Sequence, residues 1–281
     1  MNLTALFQSF SSRLQTIYSK QESESLVLWL FEEYLGKNRI DLFSNNVVES
    51  IPIELENALK ELLKGKPIQY VTGKAPFYGR EFLVNSNVLI PRNETEELVH
   101  LIIKENKNSG LRILDIGTGS GCIPITLAME LNDAEVFGLD ISDKALSVAS
   151  RNAISLDAEV VFQKCDILNE EIPLKHLDII VSNPPYVKIS EKEMMHENVL
   201  KHEPHLALFV DDDDPLLFYK HIGKKAKKVL KPYGRLYFEI NEALGNETVD
   251  ILTEYGYTEV KILEDLNGKN RMVRATFNPD S

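Results

Sequence analysis

Arg112-Ile-Leu-Asp115-Ile-Gly117-Thr118-Gly119-Ser120-Gly121-Cys122-Ile-Pro-Ile-Thr-Leu-Ala128 decides the fold of this chain. A short apolar run, a glycine loop and a second apolar run form the strand, loop and helix of a parallel α/β sheet. Alternating glycines let the backbone turn sharply and come close to a ligand. The following helix adds amino-terminal N–H groups that have no partner within it. Asp140 closes the next apolar strand, Glu135-Val-Phe-Gly-Leu-Asp140. An acid about twenty residues after such a loop accepts hydrogen bonds from a ribose diol, so the ligand carries a nucleoside.

Spacing narrows the choice. Dinucleotide sites read G-x-G-x-x-G, whereas this loop reads G-x-G-x-G with Asp115 two positions before its first glycine. An acid there repels a pyrophosphate and suits a cationic amino-acid end. The ammonium and sulfonium of S-adenosyl-L-methionine match that chemistry better than a nicotinamide dinucleotide does. The chain contains no G-x-x-x-x-G-K-[ST], so a P-loop site is not supported.

A second motif, Asn183-Pro184-Pro185-Tyr186, ends the apolar run Leu177-Asp-Ile-Ile-Val-Ser182. A run that apolar reads as a buried parallel strand, and ligands of open α/β sheets sit beyond the carboxyl ends of such strands. The Asn183 amide oxygen and the Pro184 carbonyl can both accept from one planar NH2 group, and the Tyr186 ring can pack on its face. The motif therefore predicts a pocket for a planar amino group, either an amide or a nucleobase amine.

The length of 281 residues accommodates one large domain and a smaller one. A net charge of −12 argues against a broad grip on a nucleic acid backbone, which needs clustered Lys and Arg. Lys224-Lys-Ala-Lys-Lys228 reads as the solvated face of a helix. No apolar run is long enough for a membrane span, and the first ten residues lack the pattern of a signal peptide. Cys122 and Cys165 stand alone without zinc spacing, which fits a reducing cytoplasm. His196, His202 and His205 share no helical or strand period, and no metal site is expected.

The first seventy or so residues read as helical. Leu26 to Leu35 places Val27, Leu30, Phe31, Tyr34 and Leu35 on one face before Gly36, and Ile53 to Leu63 repeats the pattern. Phe77 to Ile90 reads as a hairpin around the turn Asn85-Ser86-Asn87. Strands are expected at 112–116, 135–140, 159–165, 177–182, 235–240, 258–264 and 271–277. The last two are too close for a helical crossover and must pair antiparallel. The expected fold is α/β, with a seven-stranded, mostly parallel sheet and one antiparallel strand near its edge. Between Pro184 and Asp214 no period is visible, and an insert of this length reads as a substrate-facing loop or lid.

Further stretches extend the pattern: Pro67-Ile-Gln-Tyr70-Val-Thr-Gly73, Val88-Leu-Ile-Pro-Arg92, Glu94-Thr-Glu96, Glu203-Pro204-His-Leu-Ala-Leu208 and Asp265-Leu-Asn-Gly-Lys-Asn-Arg271. With the glycine loop, Asp140 and Asn183 to Tyr186, the chain resembles the N5-glutamine methyltransferases of peptide chain release factors, the HemK/PrmC family. Asn-Pro-Pro-Tyr alone is shared with adenine-N6 DNA methyltransferases; the Ile-Pro-Arg and Glu-Pro segments are more selective. The resemblance implies a Rossmann-like class I methyltransferase dependent on S-adenosyl-L-methionine. Its domains are a helical substrate-recognition domain (1–73), a β-hairpin linker (74–92) and a methyltransferase domain (93–281). It implies methylation of the glutamine in the Gly-Gly-Gln motif of class-1 release factors, with S-adenosyl-L-homocysteine as product. A cytoplasmic monomer with no stable nucleic acid or membrane partner is expected.

By the same resemblance Gly117, Thr118, Gly119, Ser120 and Gly121 contact the cofactor's methionine part, Asp140 its ribose, and Asp166 and Ile167 its adenine. Asn183 and Pro184 hold the substrate amide, Pro185 and Tyr186 shape its pocket, Asn183 also touches the cofactor, and Asn183, Pro184 and Tyr186 are the expected catalytic residues. A ribosomal-protein glutamine or a nucleic acid amine is the alternative acceptor. Two positions depart from the family pattern. Asn93 stands where proline is usual and is expected to cap a helix, and Ile167 stands where some members carry an aromatic residue.

Overall fold

The computed structural model describes residues 2–44 and 46–280; Met1, Asn45 and Ser281, which fall within the expected domain ranges, lie outside the described residues. The chain divides into two compact units, Met1–Lys74 with His196–His202 and Ala75–Met195 with Glu203–Ser281.

The first unit contains helices α1 (Leu3–Leu14), α2 (Lys20–Leu35), α3 (Ile53–Leu62) and α4 (Ile68–Thr72). Leu3, Leu6, Phe10 and Leu14 recur at helical spacing on α1 and close a core with Val27, Leu30 and Phe31 of α2 and Leu55, Leu59 and Leu62 of α3. Tyr34 and Leu35 pack on the edge of that core. Helix α2 begins six residues before its apolar face, because the Ser19 hydroxyl accepts from Glu22 N–H at 3.2 Å and caps it.

The second unit starts one residue into the hairpin of β1 (Lys74–Phe77) and β2 (Arg80–Leu83), which α5 (Asn93–Glu105) follows. The hairpin turns at Tyr78-Gly79, not at Asn85-Ser86-Asn87 as expected from sequence. Consecutive positive φ values of 49° and 72° give the tight two-residue turn that matches strand twist. Asn85 to Val88 forms a separate turn, with Asn85 accepting from Asn87 N–H and Val88 N–H. Asn93 is likewise the first residue inside α5 rather than its cap, and Arg92 is the cap residue without a side-chain bond. The first helical position is where proline is most at home, which accounts for the family's usual residue there.

Then follow β3 (Arg112–Ile116), α6 (Cys122–Glu130), β4 (Glu135–Asp140), α7 (Asp143–Ser155), β5 (Val160–Lys164) and β6 (Leu177–Ser182). The insert is built of β7 (Val187–Lys188), α8 (Glu197–His202) and β8 (Phe209–Val210) with single 3-10 turns between them. Elements this short display no periodicity, which is why the sequence reads as loop. Helix α8 is counted with the first unit and the rest of the insert with the second. The chain ends with α9 (Leu217–Ala226), β9 (Leu230–Glu239), α10 (Gly245–Glu254), β10 (Tyr257–Glu264) and β11 (Asn270–Phe277).

The seven-stranded sheet has the order β10-β11-β9-β6-β3-β4-β5. Only β11 runs antiparallel to its neighbours, one strand in from the edge. Strand β9 starts earlier than expected, because Leu230 pairs with Leu177 and an irregularity follows before Arg235 pairs with Ile179. The chain runs outward from β3 through β4 to β5 and then returns to the other side of β3 with β6. The strand order therefore reverses at β3, and a crevice opens beyond the carboxyl ends of β3 and β6. Apolar cores fill both faces of the sheet. Leu114, Leu139, Ile180 and Phe238 face one; Ile113, Val136, Ile179 and Tyr237 face the other.

Candidate active site

Register brings the two sequence motifs together. Ile116 pairs with Ser182, and the Ser182 hydroxyl donates to the Ile116 carbonyl at 2.7 Å. The next residues, Gly117 and Asn183, are thus neighbours; a Cβ on Gly117 would stand 4.0 Å from the Asn183 carbonyl oxygen. The three loop glycines have φ of 80°, 55° and 80°, a region that side-chain-bearing residues rarely enter. Gly117 N–H and Thr118 N–H both donate to the Leu139 carbonyl, which pins the loop over the end of β4.

A cavity of about 310 Å³ lies at this edge, within the range of small-molecule sites. Gly117, Thr118, Gly119, Ser120, Asp140, Asp166, Ile167, Asn183, Pro184 and Pro185 line it. Gly121 and Tyr186 are not among the lining residues. Gly121 serves packing: a Cβ there would meet Ile125 Cδ1 at 3.0 Å and Ala149 Cβ at 3.1 Å. Ile90, Pro91 and Arg92 complete one wall, and Pro204, Leu206 and Ala207 of the insert another.

Asp140 points at the loop. Its carboxylate accepts from Gly119 N–H at 2.9 Å and from Ser142 N–H at 2.9 Å, one bond per oxygen, which leaves further lone pairs for a ligand. Burial raises its pKa, and the backbone N–H groups of Ser142, Gly119 and Ile141 pull it back. The Asp166 carboxylate is occupied by Asn169 and by Leu168 N–H, which hold it below the usual carboxylate range.

Asp115 is fully buried behind the loop, and among the described residues neither carboxylate oxygen has a hydrogen-bond partner. Burial pushes its carboxyl up to about 7. The Thr118 hydroxyl pulls the other way from close by, without meeting hydrogen-bond geometry. A buried carboxylate without a partner is costly, and such costs are concentrated where function requires them.

Beneath Asn183 lie two side chains to which the sequence reading gave no role in the site, Thr95 and Glu239. The Asn183 side-chain amide donates to Thr95 Oγ1 at 3.2 Å. The Thr95 hydroxyl donates to Glu239 Oε2 at 2.7 Å, and the Tyr186 hydroxyl donates to Glu239 Oε1 at 3.1 Å. Thr95 and Glu239 are 3% and 1% exposed. Burial raises the Glu239 pKa, while the two hydroxyl donors and the Arg271 guanidinium lower it. Glu239 is a lone acid in the otherwise apolar run Leu236-Tyr-Phe-Glu239-Ile240, at the carboxyl end of β9. That placement is the one sequence signal that marked it.

Two more residues order the walls. Asn152 of α7 donates to the Ser120 carbonyl at 2.8 Å and exchanges bonds with Leu83, tying the glycine loop to the hairpin. Glu203, buried, accepts from Ile90 N–H at 3.2 Å and from the Arg92 guanidinium at 2.6 Å, which fixes the insert against the Ile-Pro-Arg wall.

This fold and cavity define a methyltransferase. A methyltransferase-domain family model matches residues 107–274, and a PrmC N-terminal domain model matches residues 5–73. A crystal structure of a methyltransferase from Pyrococcus furiosus superposes with a TM-score of 0.53 over 79% of this chain and 99% of that one, at 18% identity, a likeness of fold. The release factor glutamine methyltransferase of Flavobacterium psychrophilum is 46% identical over 95% of this chain and 96% of its own length. That of Bacteroides thetaiotaomicron is 46% identical over 93% and 95%, and that of Bacillus subtilis 40% identical over 94% and 90%. The chain belongs to the release factor glutamine methyltransferase family.

Proposed function

We propose that this chain transfers a methyl group from S-adenosyl-L-methionine to the side-chain amide nitrogen of a release factor glutamine, the one in the Gly-Gly-Gln motif of class-1 factors. The observation that carries this reading is the adjacency of Asn183 and Pro184 to the glycine loop and Asp140 within one cavity. An amide pocket and a nucleoside pocket share a wall there.

The residues fit that cofactor. Asp140 retains lone pairs for a ribose diol. Gly117 and Gly119, at positive φ and without side chains, line the cavity and leave their backbone open to an amino-acid tail. Asp115, buried and without a partner, is the electrostatic complement of a ligand bearing an ammonium and a sulfonium. Asp166 and Ile167 flank the position for the adenine. The bound cofactor supplies an activated methyl: the S–CH3 bond breaks as the N–CH3 bond forms, leaving S-adenosyl-L-homocysteine.

The chain's own part is positioning and charge. A glutamine nitrogen is a weak nucleophile because its lone pair is delocalised into the carbonyl. The Asn183 side-chain oxygen and the Pro184 carbonyl accept its two hydrogens and hold the NH2 in line with the methyl. As the nitrogen becomes positive, the same two oxygens stabilise it without reorganising. The surplus proton leaves to water. Tyr186, turned to Glu239, buttresses the pocket from behind.

The helical first unit is the partner-recognition domain in this reading, and the enzyme acts as a cytoplasmic monomer. Among the described residues no helix is long and apolar enough to cross a membrane. The test is methyl transfer from labelled S-adenosyl-L-methionine to a purified class-1 release factor, with a factor carrying Gln→Ala in its Gly-Gly-Gln motif as control. Label on the first factor alone supports the reading. Label on neither, with cofactor binding demonstrated, rejects it in favour of a ribosomal-protein or nucleic acid acceptor.

A further inference from the structure

An asparagine side chain presents an oxygen on one side and an NH2 on the other, and only the oxygen can accept a hydrogen from a substrate amide. A pocket built on Asn183 works in one of its two amide orientations. Nothing within Asn183 itself selects between them, so the selection comes from its neighbours.

We propose that Thr95 and Glu239 are positioning residues that fix the Asn183 amide with its oxygen toward the substrate. The proposal rests on the reading of Asn183 as the amide-binding residue. The hydrogen-bond chain has a direction set at its buried end. Ionised, Glu239 has no proton to donate, so the Thr95 hydroxyl points its hydrogen at Oε2, 2.7 Å away. Thr95 Oγ1 then has only lone pairs left, and Asn183 must turn its NH2 toward it, at 3.2 Å. The Asn183 oxygen is left facing away from Thr95, free for the substrate. Thr95 and Glu239 are both buried, which shields the bond that sets the direction from water. Three elements meet at this point: α5 supplies Thr95, β9 supplies Glu239 and the turn after β6 supplies Asn183.

Protonation of Glu239 reverses the sense. A carboxylic acid donates to Thr95 Oγ1, the Thr95 hydrogen swings to Asn183, and the Asn183 oxygen is drawn inward. The groups acting on Glu239 are Thr95 and Glu94 from α5, Tyr186 from the turn after β6 and Arg271 from β11. Tyr219 of α9 donates to its backbone carbonyl at 3.3 Å. Burial acts most strongly and, with Glu94, lifts the Glu239 pKa above its ordinary value, while the two hydroxyl donors and Arg271 favour the ionised form.

The test compares Thr95→Val, Thr95→Ser and Glu239→Gln in the full-length protein, with kcat, KM for the release factor and cofactor Kd measured separately. Thr95→Val keeps the shape and removes the hydroxyl. Its kcat is expected to fall roughly tenfold, the weight of one anchoring hydrogen bond, with cofactor Kd within about twofold of wild type. Thr95→Ser restores the hydroxyl and is expected to keep wild-type kcat. Glu239→Gln can donate or accept, so its Asn183 populates both orientations. Its kcat is expected to fall and the acid limb of the wild-type kcat–pH profile to disappear. Wild-type kcat in Thr95→Val overturns the proposal. If that variant does not fold, a Glu239→Gln enzyme with wild-type kcat and an unchanged acid limb overturns it. Failure of the wild-type enzyme to label the release factor rejects the substrate reading instead. The same variants, assayed on whichever amine acceptor is labelled, then decide the role of Thr95 and Glu239.

Discussion

Replacing Asp115 by Asn should stabilise this protein at neutral and alkaline pH while weakening its hold on the cofactor. Asp115 is buried beneath the glycine loop with no hydrogen bond to either oxygen, and its pKa rises from 3.8 to about 7. Between those values the folded protein keeps a proton that the unfolded chain has lost. Stability from this group is therefore complete below pH 3.8 and is lost as pH rises through about 7. At about 1.4 kcal/mol per pH unit the full loss is about 4 kcal/mol. A carboxamide has the shape of the protonated acid and no charge to desolvate. The stability gap between Asp115→Asn and wild type should thus widen by about 3 kcal/mol between pH 5 and pH 8. Urea unfolding of the cofactor-free proteins at the two pH values, extrapolated linearly to water, measures that gap. Parallel pH dependence in the two proteins would refute the reasoning. Cofactor Kd, measured on the same samples, should rise in the variant because the carboxylate no longer balances the ligand's positive charge. A stabilised, weak-binding variant is the usual trade at a site held under electrostatic strain.

Asn183→Ala should lower kcat by roughly 10²–10³, as for loss of one preorganised polar contact, with cofactor affinity retained; wild-type turnover in the folded variant rejects the mechanism. Gly138→Ala places a Cβ 2.7 Å from Phe162 Cδ1 and 2.9 Å from Thr118 Oγ1. Overpacking of that kind costs about 1–3 kcal/mol, so a urea midpoint equal to wild type would show that β4 and β5 yield at no cost. Removal of residues 1–73 takes away a core made of that unit's own side chains and leaves the two cores of the sheet complete. Cofactor binding should persist while release factor methylation falls, and equal loss of both would reject a recognition role for the helical unit.

Most of the sheet was legible because its strands carry their own signals. Residues 112–116, 135–140 and 177–182 are apolar runs closed by a glycine loop, an acid and an Asn-Pro turn, and each appears with those bounds. The antiparallel pairing of β10 and β11 followed from the few residues between them. The hairpin turn was misplaced because Asn85-Ser-Asn87 has the stronger turn composition, while Tyr78, a residue type that rarely enters positive φ, takes a φ of 49°. The short elements of the insert leave no periodic trace at all.

The cavity shows the same division. Gly117 to Ser120, Asp140 and Asn183 to Pro185 could be named from the chain because each motif is contiguous and its chemistry is local. Thr95 and Glu239 could not be joined to Asn183 that way, for they lie 88 residues before it and 56 after it. Their association depends on the register of β6 against β9 and on the seating of α5 over the sheet. The burial that leaves Asp115 without a partner is likewise a property of the packed interior. Local sequence determines which backbone turns and which donor groups exist. Which of them face one another, and how far water is kept from them, is decided only when distant strands close.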